Sequence, residues 1–220
     1  MRTVFLNPNS NAQLARRFEE RIEAAGGVPG DWAVRCVPQA PHVITSPAED
    51  RAAATATLNS VCAQGQAFDR VVLMSSVDTG YQEIRRLPGL HVFGFTRSVL
   101  GWHRAMGTRL QVVTFGIAMS AQYESIFRDE GNESVVQGHT VIEVSPAHLA
   151  DGASSVSTEV ASVCDLRHAA SGTPVFLVGA LALDLSDRLR GDSRCWIVDP
   201  IADLLAFLRH SIPSVAPEAT

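Results

Sequence analysis

The chain has 220 residues, 46% of them hydrophobic, enough to bury a core as one domain or two intimate lobes. No run approaches the roughly 18 uninterrupted apolar residues that spanning a bilayer requires, and a formal charge of -5 with a pI near 5.8 excludes the basic stripe that nucleic-acid phosphates demand. All 18 basic residues are arginine, which excludes an internal lysine Schiff base to pyridoxal phosphate or a carbonyl substrate, and a lysine-bearing phosphate loop.

In chain order, Met1 to Leu6 is too short an apolar run for a signal peptide, so the expected location is cytoplasmic. Residues 2–6 read as a strand, and Asn7-Pro8-Asn9-Ser10 leads into a helix over 11–25, with Ser10 or Asn11 as cap and Gly26-Gly27 as stop. A strand at 33–37 precedes a helix at 47–64 that opens on Ser46 and Pro47. The valine-rich strand at 69–74 opens into Ser75-Ser76-Val77-Asp78-Thr79-Gly80 and a helix at 80–86. A strand at 91–94, a helix at 97–106, a strand at 109–114 and a helix at 118–129 follow. The Gly-, Ser- and His-containing stretch 131–153 reads as an excursion or partner-facing loop. Beyond it come a helix at 154–169, a strand at 174–178 opening into Gly179-Ala180, a helix at 181–190, a strand at 195–198 and a helix at 200–210 capped by Asp199 before Pro200. Residues 211–220 read as a frayed tail.

Short valine-rich strands alternating with helices predict an α/β fold with parallel sheets. The strand and loop at 69–80 recur at 174–184, and 2–6 with its loop recurs at 109–116, an offset of about 105 residues. The repeat predicts two pseudo-symmetric Rossmann-like lobes, 1–95 with 198–220 and 96–197, with an inter-lobe cleft at the carboxyl ends of the strands. Cys36, Cys62, Cys164 and Cys195 form no Cys-x-x-Cys, and the seven histidines include no His-x-x-x-His, so no metal site is expected. Cys36, Cys62 and Cys195 stand in apolar contexts that favour burial.

An ordered set of segments resembles the hydantoin and allantoin racemases of the aspartate/glutamate racemase superfamily. It comprises Met1 to Ser10, Asp78-x-Gly80, Gly94-Phe95-Thr96 leading to Gly107, Arg109 to Thr114, the late strand ending at Gly179, and Val198-Asp199-Pro200. The resemblance covers nearly the whole chain and implies the two-lobed fold, a small carboxylate, amide or cyclic ureide as substrate, and no cofactor. In that group a cysteine follows each repeated strand, and the two thiols flank the substrate's stereocentre as acid and base. Here those positions fall at Ser75 and Ala180. A serine hydroxyl is too weak a base to take a Cα proton unaided, and alanine can neither take nor give one. The expected chemistry is therefore isomerase- or lyase-like but diverged, toward cyclisation, decarboxylation or elimination. The alternative is a catalytically silent binding or partner subunit.

Ser75, Asp78 and His103 are the candidate catalytic groups. Asp78 reads equally as a cap on the Thr79-Gly80 turn, and His103 as a helix-surface histidine. Asn9, Ser10, Ser76, Arg97, Thr114, Gly179 and Ala180 are the candidate substrate-binding positions. Asn9 and Ser10 also fit a simple turn and cap. Arg97 stands where hydantoin-type members place a glutamate, and suits an anionic ligand or an inter-lobe carboxylate. The partners expected are a small-molecule substrate and further copies of the chain in a homo-oligomer, with neither nucleic acid nor membrane.

Overall fold

A computed structural model describes residues 2–27, 30–143, 158, 160–165, 172–179, 182–192 and 195–211. Four strands, β1 (Thr3–Asn7), β2 (Trp32–Cys36), β3 (Arg70–Leu73) and β4 (His91–Gly94), form one parallel sheet in the order β2-β1-β3-β4. Three more, β5 (Leu110–Phe115), β6 (Val136–Ile142) and β7 (Val175–Val178), form a second parallel sheet in the order β6-β5-β7. Ile197 makes a parallel bridge to Val175, through Trp196 and Val198. The second sheet thereby repeats the strand order of the first, giving the two Rossmann-like lobes that the sequence repeat predicts.

Helices α1 (Ala12–Ala24), α2 (Pro47–Gln64), α3 (Tyr81–Ile84), α4 (Phe95–Ala105) and α5 (Ser120–Arg128) connect the strands up to β6. The later helices are α6 (Ala182–Asp192) and α7 (Pro200–His210). Asn11, Ser46 and Asp199 cap α1, α2 and α7 by accepting from amides of the first turn. Helices α4 and α7 pack against each other so closely that a methyl on Gly101 would lie 2.8 Å from the Phe207 ring. Their apolar faces, Val99 and Leu100 on one and Ile201, Leu204 and Leu208 on the other, join Phe5 and Val72 of the first sheet to Val112 and Phe176 of the second.

Three expectations are corrected. The stretch 131–153 is not simply a loop, because β6 lies inside it and pairs with β5. Its loop-like glycine is a packing device: a side chain at Gly138 would collide with the Gln111 amide of the neighbouring strand. The strand at 195–198 is reduced to the single bridge at Ile197. Cys62 is exposed, because the buried stripe of α2 runs through Ala53, Thr57 and Val61 and leaves position 62 one step round the helix. Of the helix expected at 154–169, only 158 and 160–165 are described, and both are helical.

Candidate active site at the strand mouths

The loop after β3 is shaped around one carboxylate. Asp78 adopts a left-handed φ of 50°, which aspartate tolerates better than most side chains, and its carboxyl group is completely buried. It accepts from the amides of Thr96 at 2.9 Å and Arg97 at 3.1 Å and from an Arg97 guanidinium nitrogen at 2.9 Å. Asp78 is thus the cap of α4, supplied from a different strand loop. Gly94 makes this geometry accessible, since a Cβ there would collide with the Asp78 carboxyl group. Burial pushes Asp78 up to about 6, against the opposing pull of Arg97 and the two amides. Burial also disfavours the Arg97 cation, but Asp78 and Asp129 outweigh it and hold Arg97 above its ordinary value. At neutral pH the pair is therefore ionic.

Around this cap stand hydroxyl pairs. Ser75 Oγ lies 2.9 Å from Thr79 Oγ1, which donates to Asp50 Oδ1 at 2.7 Å. Ser76 Oγ lies 2.9 Å from the hydroxyl of Tyr123 on α5, so this pair joins the loop after β3 to a helix of the second lobe. Burial pushes Tyr123 up to about 12, with only a partial offset from Ser76, and the phenol remains an O–H at any physiological pH. Thr96 Oγ1 donates to the Ser76 carbonyl at 2.6 Å, fixing the loop from the other side.

Polar contacts flank these loops on both sides, and those made by Tyr81, Arg85, Arg17 and Arg21 run between the lobes. Arg97 reaches Asp129 at 2.6 Å, and Tyr81 and Arg85 converge on Glu130 at 2.9 and 3.1 Å. The Arg97 guanidinium also covers the Tyr81 ring at 4.5 Å. On the other side, Arg17 pairs with Asp184 and Arg21 with Asp187, tying α1 to α6.

The remaining loops contribute less exposed chemistry. The side-chain oxygen Oδ1 of Asn9 accepts from the side-chain amide of Asn7 at 2.7 Å and from the Asn11 backbone amide at 2.9 Å, and the Ser10 backbone amide donates to the Pro41 carbonyl. Thr114, fully buried at the end of β5, pairs with His139 Nε2 of β6 at 2.8 Å. Burial holds that imidazole below its ordinary value, only partly offset by Glu124. Gly179 has a φ of 144°, and a Cβ there would approach the Phe115 ring at 3.0 Å. Ala180 lies outside the described residues.

Ser75, Ser76, Asp78 and Arg97 are therefore brought together at the mouth of β3. His103 is not beside them. It lies six residues beyond Arg97, about 240° round the helix, and its Nε2 is 2.9 Å from Asp203 on α7. It borders a separate pocket of about 540 Å³ with Trp102, Met106, Trp196 and Asp199. None of its lining residues belongs to the loops after β1, β3 or β5. Chemistry, rather than volume, marks the site. Asp50, Tyr123 and His139 went unnoticed in the sequence. No spacing links position 50 to 79, and the Tyr123 hydroxyl is carried on an apolar helix face.

Among the described residues no group of three or more His, Cys, Asp or Glu side chains is placed to hold a metal ion, and no helix is long and apolar enough to cross a membrane. The Ser76–Tyr123 pair uses one hydroxyl hydrogen between its members and has a second that can be donated to a carbonyl or carboxylate.

The comparisons with known proteins agree with this architecture. Allantoin racemase from Klebsiella pneumoniae superposes with a TM-score of 0.77 at 20% identity, over 96% of this chain and 86% of that one. Allantoin racemase from Pseudomonas fluorescens gives 0.80 at 16% identity, over 96% and 90%. Arylmalonate decarboxylase gives 0.57 at 14% identity, over 95% and 91%. No curated protein sequence matches the chain. Residues 4–202 match the family described as Asp/Glu/Hydantoin racemase, a span that includes both sheets and every strand-mouth loop, and the chain belongs to that family.

Proposed function

We propose that the chain is a cofactor-independent enzyme that acts beside a carbonyl or carboxylate group of a small acid, amide or cyclic ureide. The reaction is isomerase- or lyase-type, diverged from two-thiol racemisation toward decarboxylation, elimination or cyclisation. One observation carries this reading: at the mouth of β3, hydroxyls stand where the racemases' thiol is expected, each with a hydroxyl partner, Ser75 with Thr79 and Ser76 with Tyr123. Decarboxylation or elimination places negative charge on an oxygen, and fixed O–H donors stabilise such charge without having to abstract a Cα proton. Racemases and a decarboxylase share the fold, so the site and not the fold must decide the reaction.

In this reading Ser75 faces the reacting carbon, and Ser76, Ser10 and Asn9 hold the substrate's polar group. Thr114 and Gly179 close the site from the second lobe. Asp78 and Arg97 act behind them: their groups are committed to each other and to Asp129, and they hold the loop in shape. His103 plays no direct part.

The test is incubation of the isolated protein with a panel of substituted malonates, hydantoins and amide acids in deuterium oxide, followed by nuclear magnetic resonance. Turnover of one class without added cofactor, reduced about 100-fold or more in Ser75→Ala, is the expected result. Activity that appears only when a full-length paralogue is added would instead favour a binding or partner subunit.

A further inference from the structure

Ser75, Thr79 and Asp50 form a chain in which the direction of every hydrogen bond is determined. An ionised carboxylate only accepts, so Thr79 must give its one hydroxyl hydrogen to Asp50, at 2.7 Å. Thr79 Oγ1 can then only accept from Ser75, at 2.9 Å. The Ser75 hydrogen is thereby committed inward, and Ser75 Oγ presents lone pairs to the cleft. An anion beside Ser75 needs the opposite polarity. The chain supplies it only if Asp50 is protonated: Asp50 then donates to Thr79, Thr79 to Ser75, and Ser75 to the anion. Thr79 is buried, whereas Ser75 and Asp50 are partly exposed, so solvent protons reach one end of the relay and substrate the other.

We propose that Asp50 is the proton store of this site and that Thr79 couples it to Ser75, so that an anion binding at Ser75 draws one proton onto Asp50. The inference rests on the reading that places substrate at Ser75. In turnover the proton moves along the same line. A carbanion formed by loss of carbon dioxide takes the Ser75 hydrogen, Ser75 takes that of Thr79, Thr79 takes that of Asp50, and Asp50 is left as carboxylate, to be reprotonated from solvent.

The surroundings of Asp50 favour this role. It lies in the first turn of α2, and its desolvation, followed by the nearby charge of Glu83 on α3, raises its proton affinity, while Thr79 and Arg51 oppose the rise. The Tyr123 hydroxyl lies within electrostatic reach as well, as a neutral phenol. Asp50 is a positioning residue, because it acts on substrate only through two hydroxyls.

Calorimetry with malonate as the probe, run near about pH 7 in two buffers of different ionisation enthalpy, measures protons taken up on binding. For the wild-type chain the expected uptake approaches about one proton per site. Asp50→Asn, which has no carboxyl group to take up a proton, and Thr79→Val, which cuts the relay, should bind without uptake. Thr79→Ser should restore it, which also guards against misreading a folding defect. Uptake that persists in folded Asp50→Asn or Thr79→Val overturns the relay while leaving the site in place. Malonate that binds Ser75→Ala with wild-type affinity and uptake, or does not bind the wild type at all, overturns the placement of substrate at Ser75.

Discussion

Asp78 shapes the loop that bears Ser75 and Ser76, and Asp78→Ala measures how much of that shape it supplies. The substitution strands three donors, the amides of Thr96 and Arg97 and one guanidinium nitrogen, around a carboxyl position with no exposed surface. Each stranded donor costs about 1–3 kcal/mol. The three do not add, because Arg97 keeps Asp129 through its other terminal nitrogen and water can enter the vacated space. Breaking a buried ion pair costs about 3–5 kcal/mol, and that is the loss expected near pH 7, a large share of the roughly 5–15 kcal/mol that keeps a domain folded. Urea unfolding followed by tryptophan fluorescence should show a lower midpoint at unchanged slope. Acidity gives a second handle. Burial lifts Asp78 from 3.8 to about 6, so between these values the folded chain holds a proton that the unfolded chain has released. The carboxyl's contribution is full below about pH 4 and is lost as the pH rises through about 6, by about 3 kcal/mol at about 1.4 kcal/mol per pH unit. The wild type's advantage over Asp78→Ala is therefore greater at acid pH than at neutral pH. A loss below about 1 kcal/mol near neutrality would refute the buried cap, and an advantage that grows as the pH rises would show that Arg97 and the two amides outweigh burial in setting the carboxyl's proton affinity.

The chain should not racemise hydantoins, allantoin, aspartate or glutamate, and their Cα protons should survive incubation in deuterium oxide; rapid exchange would reveal a base not identified here. Ser10→Ala and Ser76→Ala should each weaken carboxylate binding by about 1.5–3 kcal/mol, the worth of a hydrogen bond to a charged group, as read by calorimetry; unchanged affinity in both places the ligand elsewhere. His103→Asn should lower the unfolding midpoint through loss of the Asp203 bond but leave turnover unchanged, and a large fall in kcat would return the histidine to the mechanism. Gly138→Ala should cost at most about 1 kcal/mol, because the Cβ meets the end of the flexible Gln111 side chain, which can swing aside; a much lower urea midpoint would mean that Gln111 is held in place.

The parallel architecture was legible because period and punctuation agree: valine-rich runs mark six of the seven described strands, and Ser46, Asp199 and Asn11, the last being one of two candidates for α1, cap their helices in the structure. β6 was hidden because Gly138, needed to admit the Gln111 side chain, carries the signature of a loop. At the site, the residues at the mouth of β3 could be located from the repeated strand and loop, but their partners could not. Asp50 meets Thr79 across 29 positions, Tyr123 meets Ser76 across 47, and Asp203 meets His103 across 100. Such pairings are set by the packing of helices on sheets, which leaves no local period in the sequence. His103 was misplaced for the same reason. Its position along α4 was read correctly, but the direction it faces is fixed by α7, a helix from the far end of the chain.

The two halves start corresponding helices from extended backbone and cap them differently. Gly94 before α4 and Asp199 before α7 both have a φ of -90°. At α7 the residue's own carboxylate accepts from the amides two and three positions on, Ile201 and Ala202, each at 3.1 Å. At α4 the corresponding amides, Thr96 and Arg97, bind the carboxylate of Asp78 instead, which fills the room that a side chain at position 94 would need. The same anion thus sits at the same helix start, but only in the first lobe does it come from the strand-mouth loop. That loop is locked to α4, with Asp78 held at a positive φ, and its hydroxyls inherit the fixed geometry. Asp199 serves α7 from its own position and pairs with the arginines beside it. A two-base racemase needs matched groups on both faces of its substrate. One locked, hydroxyl-bearing loop suits delivery of a proton from one face, which is the stereochemical course that the proposed relay through Ser75 requires.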